Sequence, residues 1–294
     1  MRSYLQRAAL SLLMALIICP GLASAQADET WRSWNQPVNP FRIIGNIYYV
    51  GASDITSFLI TTPEGHILLD SGFAETVPLI EASVKKLGFN MRDIKILINS
   101  HAHNDHAGGM ALLKEMTGAK LCMSEADSLL ISNGGKGDSQ WGDSLAYSPA
   151  TVDRRLRDKE KVELGGTTMI ARLTPGHTKG STTWTMRVEE GGKRYDVVFA
   201  GSTTAPGYRL VNNPNYPNIA EDYAYTFRLL KSLPCDVFLA PHGSFFSLGE
   251  KMRRIVAGEK SNPFIDPAGY QRFIKRTEIA FLEQLRKERQ GKAQ

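Results

Sequence analysis

The sequence lacks the features that mark several protein classes. None of its 294 residues belongs to a long polar run, and a composition of 42% apolar and 22% charged residues is typical of a globular enzyme with one large domain or two fused halves. There is no short-period repeat and no Gly-Lys-Ser/Thr phosphate loop. A chain of this length is able to bury a full hydrophobic core.

No apolar run reaches the ~20 residues that a membrane-spanning helix needs. The N-terminus instead combines Arg2 and Arg7 with the apolar run Ala8–Cys19 and the small residues Ala23–Ala25. We therefore predict a secretory signal peptide over residues 1–25, cleaved near Gln26, rather than a membrane anchor. Its removal lowers the formal net charge from +5 to +3. Neither nucleic-acid binding nor stable membrane association is expected of the mature chain.

Cysteine is scarce. Cys19 leaves with the leader, whereas Cys122 and Cys235 remain in what we expect to be an oxidising compartment. Sequence alone does not show whether these two pair, because pairing depends on their distance. Cys122 lies in a short apolar run, and we expect a buried, unreactive thiol there.

The segment that follows the leader, residues 26–40, has no clear periodicity. It contains Trp31 and Trp34 together with two prolines. We interpret it as an N-terminal arm. Its two indoles pack either on the outside of the domain or over an active-site groove, since chain arms often carry binding aromatics.

From residue 41 onwards, strand-like and helix-like patterns alternate with turn signals. Strands are predicted at 43–50, 57–61, 67–70, 94–98, 120–123, 168–173, 181–189, 194–200 and 237–240. Helices are predicted at 76–87, 110–116, 124–132, 219–233, 248–257 and 267–287. Each half runs strands, helix, strand, so residues 41–294 are predicted to form a single layered α/β domain of two similar halves. The segment 133–149 is predicted to be a surface loop that flanks the cleft.

The densest cluster of chemically active side chains directly follows the predicted strand Ile94–Ile98. His101, His103 and Asp105 alternate along the chain, so in an extended backbone they point the same way. His106 is out of phase and needs a turn, which the two following glycines permit. Three imidazoles and a carboxylate within six residues are ligand types that suit zinc.

The other three histidines fall into two groups according to where they lie relative to the predicted strands. His177 and His242 also follow strand-like runs, in the loops Thr174–Gly180 and Pro241–Ser244. We expect both to meet the first cluster at one edge, where α/β folds tend to place their sites. His66 lies at the edge of a strand, and we expect it to be structural.

Three motifs, taken in this order, resemble the metallo-β-lactamase superfamily: His-x-His-x-Asp-His at 101–106, Thr-Pro-Gly-His-Thr-x-Gly-Ser at 174–181, and Pro-His-Gly at 241–243. The resemblance covers the whole mature chain. It implies an αββα sandwich, with two central, mostly antiparallel sheets, helices on both outer faces and a two-metal site at one edge. The superfamily also includes glyoxalase II enzymes, lactonases and nucleases, so the motifs alone do not fix the substrate.

One position indicates which branch of the superfamily this chain resembles. Many hydrolases of the superfamily have a metal-bridging aspartate at the end of the strand before the last ligand, and two lactamase subclasses have a cysteine there, whereas this chain has Ser202. With histidine at position 106, this serine resembles the third subclass of class B β-lactamases. The resemblance implies two zinc ions per subunit, the first held by His101, His103 and His177 and the second by Asp105, His106 and His242.

The resemblance also implies roles for residues outside the ligand set. The hydroxyls of Ser202 and Thr204 are similar in position to those that hold the substrate carboxylate in this subclass; the alternative is a hydroxyl-capped turn. Asp70 is expected to support a ligand histidine from behind, or else to be a turn residue. The subclass often joins the position of Cys235 to a later cysteine. None follows here, so the C-terminal helix is expected to be held by packing alone.

The chemistry follows from the ligand count. Three protein ligands per zinc leave positions open for water, as in catalytic sites. Zinc lowers the pKa of its bound water to about 7, so no separate base is needed, and Asp105 is expected to be the catalytic residue that orients the hydroxide. No Ser-x-x-Lys motif paired with Lys-Thr-Gly occurs, so no serine acyl-enzyme is required.

The sequence thus predicts a monomeric, periplasmic zinc hydrolase that opens the amide bond of small-molecule β-lactams: penicillins, cephalosporins and carbapenems. The leader agrees, because β-lactams act in the periplasm. Two alternatives stay open. One is another hydrolase of the same scaffold, acting on a thioester or a lactone, and the other is a non-catalytic zinc-binding protein.

Overall fold

The computed structural model describes residues 29–291. The predicted leader, residues 1–25, lies outside the described residues. Between 29 and 291, no helix is both long enough and apolar enough to cross a membrane. The described chain begins with a short helix, α1 (residues 29–34), which belongs to the N-terminal arm.

The first of two central sheets has seven strands that lie side by side in sequence order. They are β1 (Phe41–Ile44), β2 (Ile47–Tyr49), β3 (Phe58–Thr62), β4 (Gly65–Leu69), β5 (Ile94–Ile98), β6 (Lys120–Ser124) and β7 (Arg154–Leu156). Strands β1 to β4 pair antiparallel, whereas β4 to β7 pair parallel. The central strand β4 is buried at every position, because a strand in the middle of a covered sheet has both faces away from water.

The second sheet has five strands, in the order β12-β11-β10-β9-β8. They are β8 (Lys161–Leu164), β9 (Thr167–Leu173), β10 (Thr182–Glu190), β11 (Lys193–Phe199) and β12 (Val237–Leu239). Only β11 and β12 pair parallel in this sheet. Strands β10 and β11 form the predicted hairpin, in which Gly191 and Gly192 adopt positive φ angles of 59° and 75° that other residues rarely adopt.

Helices cover the outer face of each sheet. They are α2 (Val77–Lys86), α3 (Asn104–Ala107), α4 (Met110–Thr117), α5 (Glu125–Ser132), α6 (Ile219–Ser232), α7 (Leu248–Val256) and α8 (Pro267–Arg289). Apolar residues of α2, α4 and α5 form one buried cluster with the first sheet. A larger cluster fills the space between the sheets and extends to α6 and α8. The predicted αββα sandwich is confirmed, with two mixed sheets.

Two features of the strands were not predicted. The run 43–50 forms two strands rather than one, because Gly45 turns the chain with a φ of 52°. Strands β7 and β8 escaped notice because they are short and mostly polar, and each buries a single side chain, Leu156 in β7 and Val162 in β8.

The C-terminal helix α8 is not held by packing alone, which corrects our expectation. Phe273 and Phe281 are buried against the second sheet and α6. In addition, the Glu288 carboxylate accepts hydrogen bonds from the backbone N–H groups of Leu210 and Val211 at 2.7 and 2.9 Å. The helix thereby holds the loop that follows β11.

Both cysteines of the described chain are free thiols. Cys122 on β6 is buried, as expected, and burial raises the pKa of its thiol. Burial also raises the pKa of Cys235 to about 12. Neither thiol is therefore activated as a nucleophile, which needs a lowered pKa.

Candidate metal centre

The predicted histidine cluster lies in the loop that joins β5 to α4, here called the histidine loop (residues 99–109). Its backbone is extended as far as His103, with φ −80° and ψ 156°, and then enters the short helix α3 at Asn104. Asp105 and His106 therefore stand in a helical turn. The alternation expected from an extended chain holds for His101 and His103 but not for Asp105.

The two glycines that end this loop have a different role from the one we predicted. Gly108 has an ordinary helical φ of −58°, so it does not supply conformational freedom. A Cβ at Gly108 would lie 2.3 Å from Asn104 Oδ1, and one at Gly109 would lie 2.5 Å from Val77 Cγ2. Both glycines therefore allow close packing of the histidine loop, and the turn itself is made by α3.

The structure brings together all five histidines that the sequence placed at strand ends. Their neighbouring ring centroids lie 4.5–5.0 Å apart. His177 comes from the loop between β9 and β10, and His242 from the loop after β12. His66, on β4, packs edge-on against Phe89 instead, at 5.1 Å.

The first ligand group consists of His101, His103 and His177. Their ligand atoms lie within 4.8 Å of one another, and all three residues are largely buried. His103 Nδ1 is 3.2 Å from His177 Nε2. This group has the residue types and spacing of a three-histidine metal site.

The second ligand group consists of Asp105, His106 and His242. Asp105 Oδ2 lies 3.2 Å from His106 Nε2 and 3.4 Å from His242 Nε2. His101 also lies within 4.8 Å of the ligand atoms of Asp105 and His106, so the two groups adjoin. A two-metal site needs such adjoining groups.

Hydrogen bonds behind the rings fix which nitrogen of each histidine faces the cluster. His177 Nδ1 donates to the Thr204 carbonyl at 2.8 Å. His103 Nε2 bonds the Asp138 carboxylate at 3.3 Å, and His242 Nδ1 bonds the Asp54 carboxylate at 2.9 Å. Such partners behind metal-binding histidines orient the rings and raise their basicity.

The remaining two rings have weaker partners. His101 Nδ1 shares a hydrogen bond with the Ser100 hydroxyl at 3.1 Å. His106 Nδ1 lies 4.0 Å from Asp70 Oδ2, which is longer than a hydrogen bond. Asp70 has a positive φ of 62° and accepts hydrogen bonds from Asn99 Nδ2 and Ser100 N–H. It therefore both turns the chain and fixes the start of the histidine loop.

In the metal-free chain, burial and charge favour the protonation state that a metal needs at His101, His177 and Asp105, whereas they keep a proton on His242, which metal binding would have to displace. Burial, with the neighbouring rings, holds the pKa of His101 well below its usual value and lowers the pKa of His177 to about 3. Burial opposes the charge of Asp105, but two neighbouring histidines outweigh it and hold its pKa well below the ordinary value. Burial also opposes the charge of His242, but Asp105 and Asp54 raise its pKa to about 9.

Two ring nitrogens of the first ligand group indicate that these residues are suited to bind a metal ion. Because a carbonyl only accepts hydrogen bonds, His177 carries its proton on Nδ1 and directs a bare Nε2 at His103. His101 Nε2 is buried and has no hydrogen-bond partner among residues 29–291. Buried polar atoms rarely lack partners, and a shared cation would satisfy these nitrogens together. Imidazoles with one carboxylate suit zinc.

The predicted substrate residues lie beside the first ligand group. Ser202 is buried, and its Oγ lies 3.2 Å from Thr204 Oγ1. Tyr223 donates its hydroxyl to the Thr204 carbonyl at 2.7 Å, and Tyr208 stacks on the His177 ring with centroids 5.5 Å apart. The Ser202–Thr204 segment thus lies next to the ring that it helps to orient.

Sequence reasoning missed Asp54, Asp138, Tyr208 and Tyr223. Each is an isolated residue in a loop or helix, with no spacing that relates it to the histidines. Only Asp138 had an indirect signal, because it lies in the segment 133–149 that was predicted to flank the cleft. That loop does contact the site, through the bond from Asp138 to His103.

The N-terminal arm packs its two tryptophans beside the histidine cluster and on Phe73. Trp34 packs edge-on against His242, with ring centroids 5.2 Å apart, and Trp31 packs on Phe73 at 5.7 Å. The Trp34 carbonyl accepts hydrogen bonds from the backbone N–H groups of Asp54 and Ile55 at 2.9 and 3.2 Å. The arm therefore lies against the second ligand group rather than elsewhere on the outside.

Comparisons with known proteins agree with this geometry. A family model described as the metallo-beta-lactamase superfamily matches residues 50–242. The native FEZ-1 metallo-beta-lactamase from Legionella gormanii is 46% identical, with a TM-score of 0.85 over 87% of this chain and 98% of that one. BJP-1, a subclass B3 metallo-beta-lactamase of Bradyrhizobium japonicum, is 37% identical, with a TM-score of 0.82 over 88% of this chain and 97% of that one.

Curated relatives match a smaller part of the chain. A hydroxyacylglutathione hydrolase from Hyphomonas neptunium is 33% identical over 119 residues, which are 40% of this chain and 38% of that protein. A protein from Aquifex aeolicus is 28% identical over 120 residues, which are 39% of this chain and 50% of that protein. The matched region thus spans half or less of these curated relatives.

Proposed function

Because this chain belongs to the metallo-beta-lactamase superfamily, we propose that it is a zinc-dependent β-lactamase that hydrolyses the amide bond of penicillins, cephalosporins and carbapenems. The observation that carries the proposal is the convergence of two adjoining ligand groups at one edge of this fold. The similarity to subclass B3 lactamases over nearly their whole length supports the substrate class.

The two ligand groups would hold two zinc ions, the first on His101, His103 and His177 and the second on Asp105, His106 and His242. When bound, zinc supplies Lewis acidity and lowers the pKa of water to about 7. Among residues 29–291, the side-chain hydrogen bonds of Asp105 go to His106 and His242 through Oδ2, which leaves Oδ1 without a partner. This oxygen is therefore available to accept a hydrogen bond from the attacking water and to orient it.

The chain's other residues bind and orient the substrate. The hydroxyls of Ser202 and Thr204 would donate to the substrate carboxylate, which their position beside His177 supports. Tyr208 and the edge of Trp34 flank the two ligand groups with aromatic surface. Since only hydroxyl donors and metal would anchor the carboxylate, we expect a broad rather than a selective preference among β-lactams.

The proposal is tested with purified mature protein and a chromogenic cephalosporin. We expect turnover that a chelator abolishes and added zinc restores. Full zinc binding without turnover of any β-lactam, thioester or lactone would instead support a non-catalytic zinc protein. A chelator-resistant activity would contradict the zinc assignment.

A thioester hydrolase is the second candidate, because of the partial match to a hydroxyacylglutathione hydrolase. Ser202 counts against it, since the resemblance gives many such hydrolases a bridging aspartate at this position. Assaying a hydroxyacylglutathione thioester beside the cephalosporin separates the two. Faster hydrolysis of the thioester would favour the second candidate.

We also propose export to the periplasm and a monomeric state. The export proposal rests on the leader-like residues 1–25 and on the predicted substrate, which acts in that compartment. N-terminal sequencing of the protein recovered from the periplasm should begin near Gln26, and light scattering should give the mass of one chain. Recovery of uncleaved protein from the cytoplasm or the membrane would contradict the export proposal.

A further inference from the structure

A carboxylate that the chemistry above does not use joins the two loops that carry the first ligand group. Asp127 lies in the first turn of α5, and only 1% of its surface is exposed. Its Oδ2 accepts a hydrogen bond from the Ala102 N–H at 2.9 Å. Ala102 lies between His101 and His103 on the histidine loop.

The same carboxylate also holds the loop of residues 174–181, here called the His177 loop. Asp127 Oδ2 accepts a hydrogen bond from the Thr178 hydroxyl at 2.7 Å, and Oδ1 accepts one from the Gly180 N–H at 2.7 Å. These two residues flank Lys179, directly after His177. One buried carboxylate therefore makes three hydrogen bonds to two loops, and the residues that it bonds in one loop are more than 70 positions from those in the other.

The packing around Asp127 shows that this contact is close on every side. A Cβ at Gly180 would lie 2.2 Å from Ser124 Oγ, 2.4 Å from Asp127 N and 2.7 Å from Asp127 Cγ. The His177 loop therefore rests directly on the first turn of α5, and only glycine allows that approach. Tyr147 donates its hydroxyl to the Ala102 carbonyl, so both backbone polar groups of Ala102, the residue between the two histidines, are hydrogen-bonded.

We propose that Asp127 is a positioning residue that sets the separation of the histidine loop and the His177 loop, and thereby the geometry of the His101, His103 and His177 ligand group. His103 and His177 face each other at 3.2 Å although they belong to different loops. A shift of either loop would change this distance directly. The hydrogen bonds of the Asp127 carboxylate go to the backbone and to the Thr178 hydroxyl rather than to a ligand side chain.

The inference rests on the metal centre of the proposed function but not on its substrate. It is tested with Asp127→Asn, which keeps one acceptor and places an amide donor against backbone donors, and with Thr178→Val, which removes one bond at nearly constant volume. Gly180→Ala keeps the carboxylate but wedges the His177 loop away from α5. The matched control is Asp266→Ala, because Asp266 also accepts a backbone bond in the first turn of a helix, from Gly269, and pairs with buried Lys251 at 3.1 Å.

The first readout is zinc affinity, measured by competition with a chromophoric chelator. We expect the three test variants to lose about 10- to 100-fold in affinity, the usual effect of removing support behind metal ligands. The control should lower the Tm of the metal-free protein without changing zinc affinity. Wild-type affinity in Asp127→Asn, with a lowered Tm alone, would overturn the inference.

The second readout is hydrogen exchange of the metal-free protein, which does not depend on zinc or on activity. Asp127→Asn should speed exchange in peptides that cover both loops together, whereas Asp266→Ala should affect neither loop. Faster exchange in one loop alone would refute the coupling of the two. If wild-type protein hydrolyses no β-lactam but these results hold, the proposed function fails and the positioning role of Asp127 stands.

Discussion

At the scale of single residues, the orientation of the ligand histidines depends on the ring nitrogens that face away from the cluster. Thr204, Asp138 and Asp54 bond the outer nitrogens of three of the histidines. Each bond leaves the other nitrogen of its ring directed at the cluster, so the ligands are aimed before any metal arrives. Preorganised ligands of this kind avoid ordering costs when the metal binds.

The metal-ligand residues were predictable because several sequence features pointed to the same place. Five histidines at strand ends, with Asp105 among them, specified the ligand types from the sequence. Asp54 and Asp138 were not predictable, because a lone aspartate in a loop has the same appearance whether it supports a ligand or caps a turn. Their roles depend on long-range contacts, which no local pattern records.

Asp105 provides the sharpest test at this scale. Asp105→Ala removes the carboxylate that faces His106 and His242, so it should weaken the second zinc more than the first. We expect kcat/KM to fall by about 10²- to 10⁴-fold, the usual contribution of a positioned acid or base. Asp196→Ala is the matched control, since Asp196 pairs with exposed Arg187 at 2.8 Å. An active Asp105→Ala protein with two full zinc ions would refute the assignment.

The His242 ring predicts a pH dependence for the zinc-free protein. Its pKa is raised from 6.5 to about 9 in the fold, so folding binds its proton more tightly. This stabilisation is fully present below about pH 6.5 and is lost as the pH rises through 9, with an upper limit of about 3 kcal/mol. The Tm of the zinc-free protein should therefore fall between pH 6.5 and 9.

Asp54→Asn is the variant that checks this pH effect. It removes one of the two carboxylates that raise the pKa of His242, so the fall in Tm over the same pH range should become shallower. Thermal unfolding at several pH values, in the presence of a chelator, measures it. An unchanged slope would show that His242 does not cause the effect.

At the scale of elements, the N-terminal arm is part of the wall of the site. The backbone N–H groups of Asp54 and Ile55, in the loop between β2 and β3, donate to the Trp34 carbonyl. Thr76, just before α2, donates its hydroxyl to Asn35 Oδ1 at 2.7 Å. The sequence did not predict where the arm packs, because residues 26–40 show no hydrophobic periodicity that would identify a buried face. The structure places Trp34 against His242.

Removing the arm's indole should weaken substrate binding. We expect Trp34→Ala, and deletion of residues 26–39, to raise KM several-fold, since an aromatic contact contributes about 0.5–1.5 kcal/mol beyond its buried area. Steady-state kinetics with the chromogenic cephalosporin measure this effect. Glu29→Ala, an exposed change on the same helix, is the control. Unchanged kinetics for both arm variants would leave the arm with a structural role only.

At the scale of the whole molecule, the sequence predicted the two sheets and their covering helices, but it did not predict several short strands and long-range contacts. Long periodic segments such as α2 and α6 and the β10–β11 hairpin lie within a residue or two of their predicted bounds, because burial of one face leaves a strong pattern. The split between β1 and β2, the polar strand β7 and the role of Glu288 in fixing α8 escaped prediction. These features depend on a single turn or on tertiary contacts.

The central claim is that six side chains from distant parts of the fold hold two zinc ions. The most direct measurement is anomalous X-ray diffraction from crystals of the zinc-loaded mature protein, with data on both sides of the zinc absorption edge. We predict two peaks, one at His101, His103 and His177 and one at Asp105, His106 and His242. No peak at either ligand group, in crystals of protein that retains chelator-sensitive turnover, would contradict the claim.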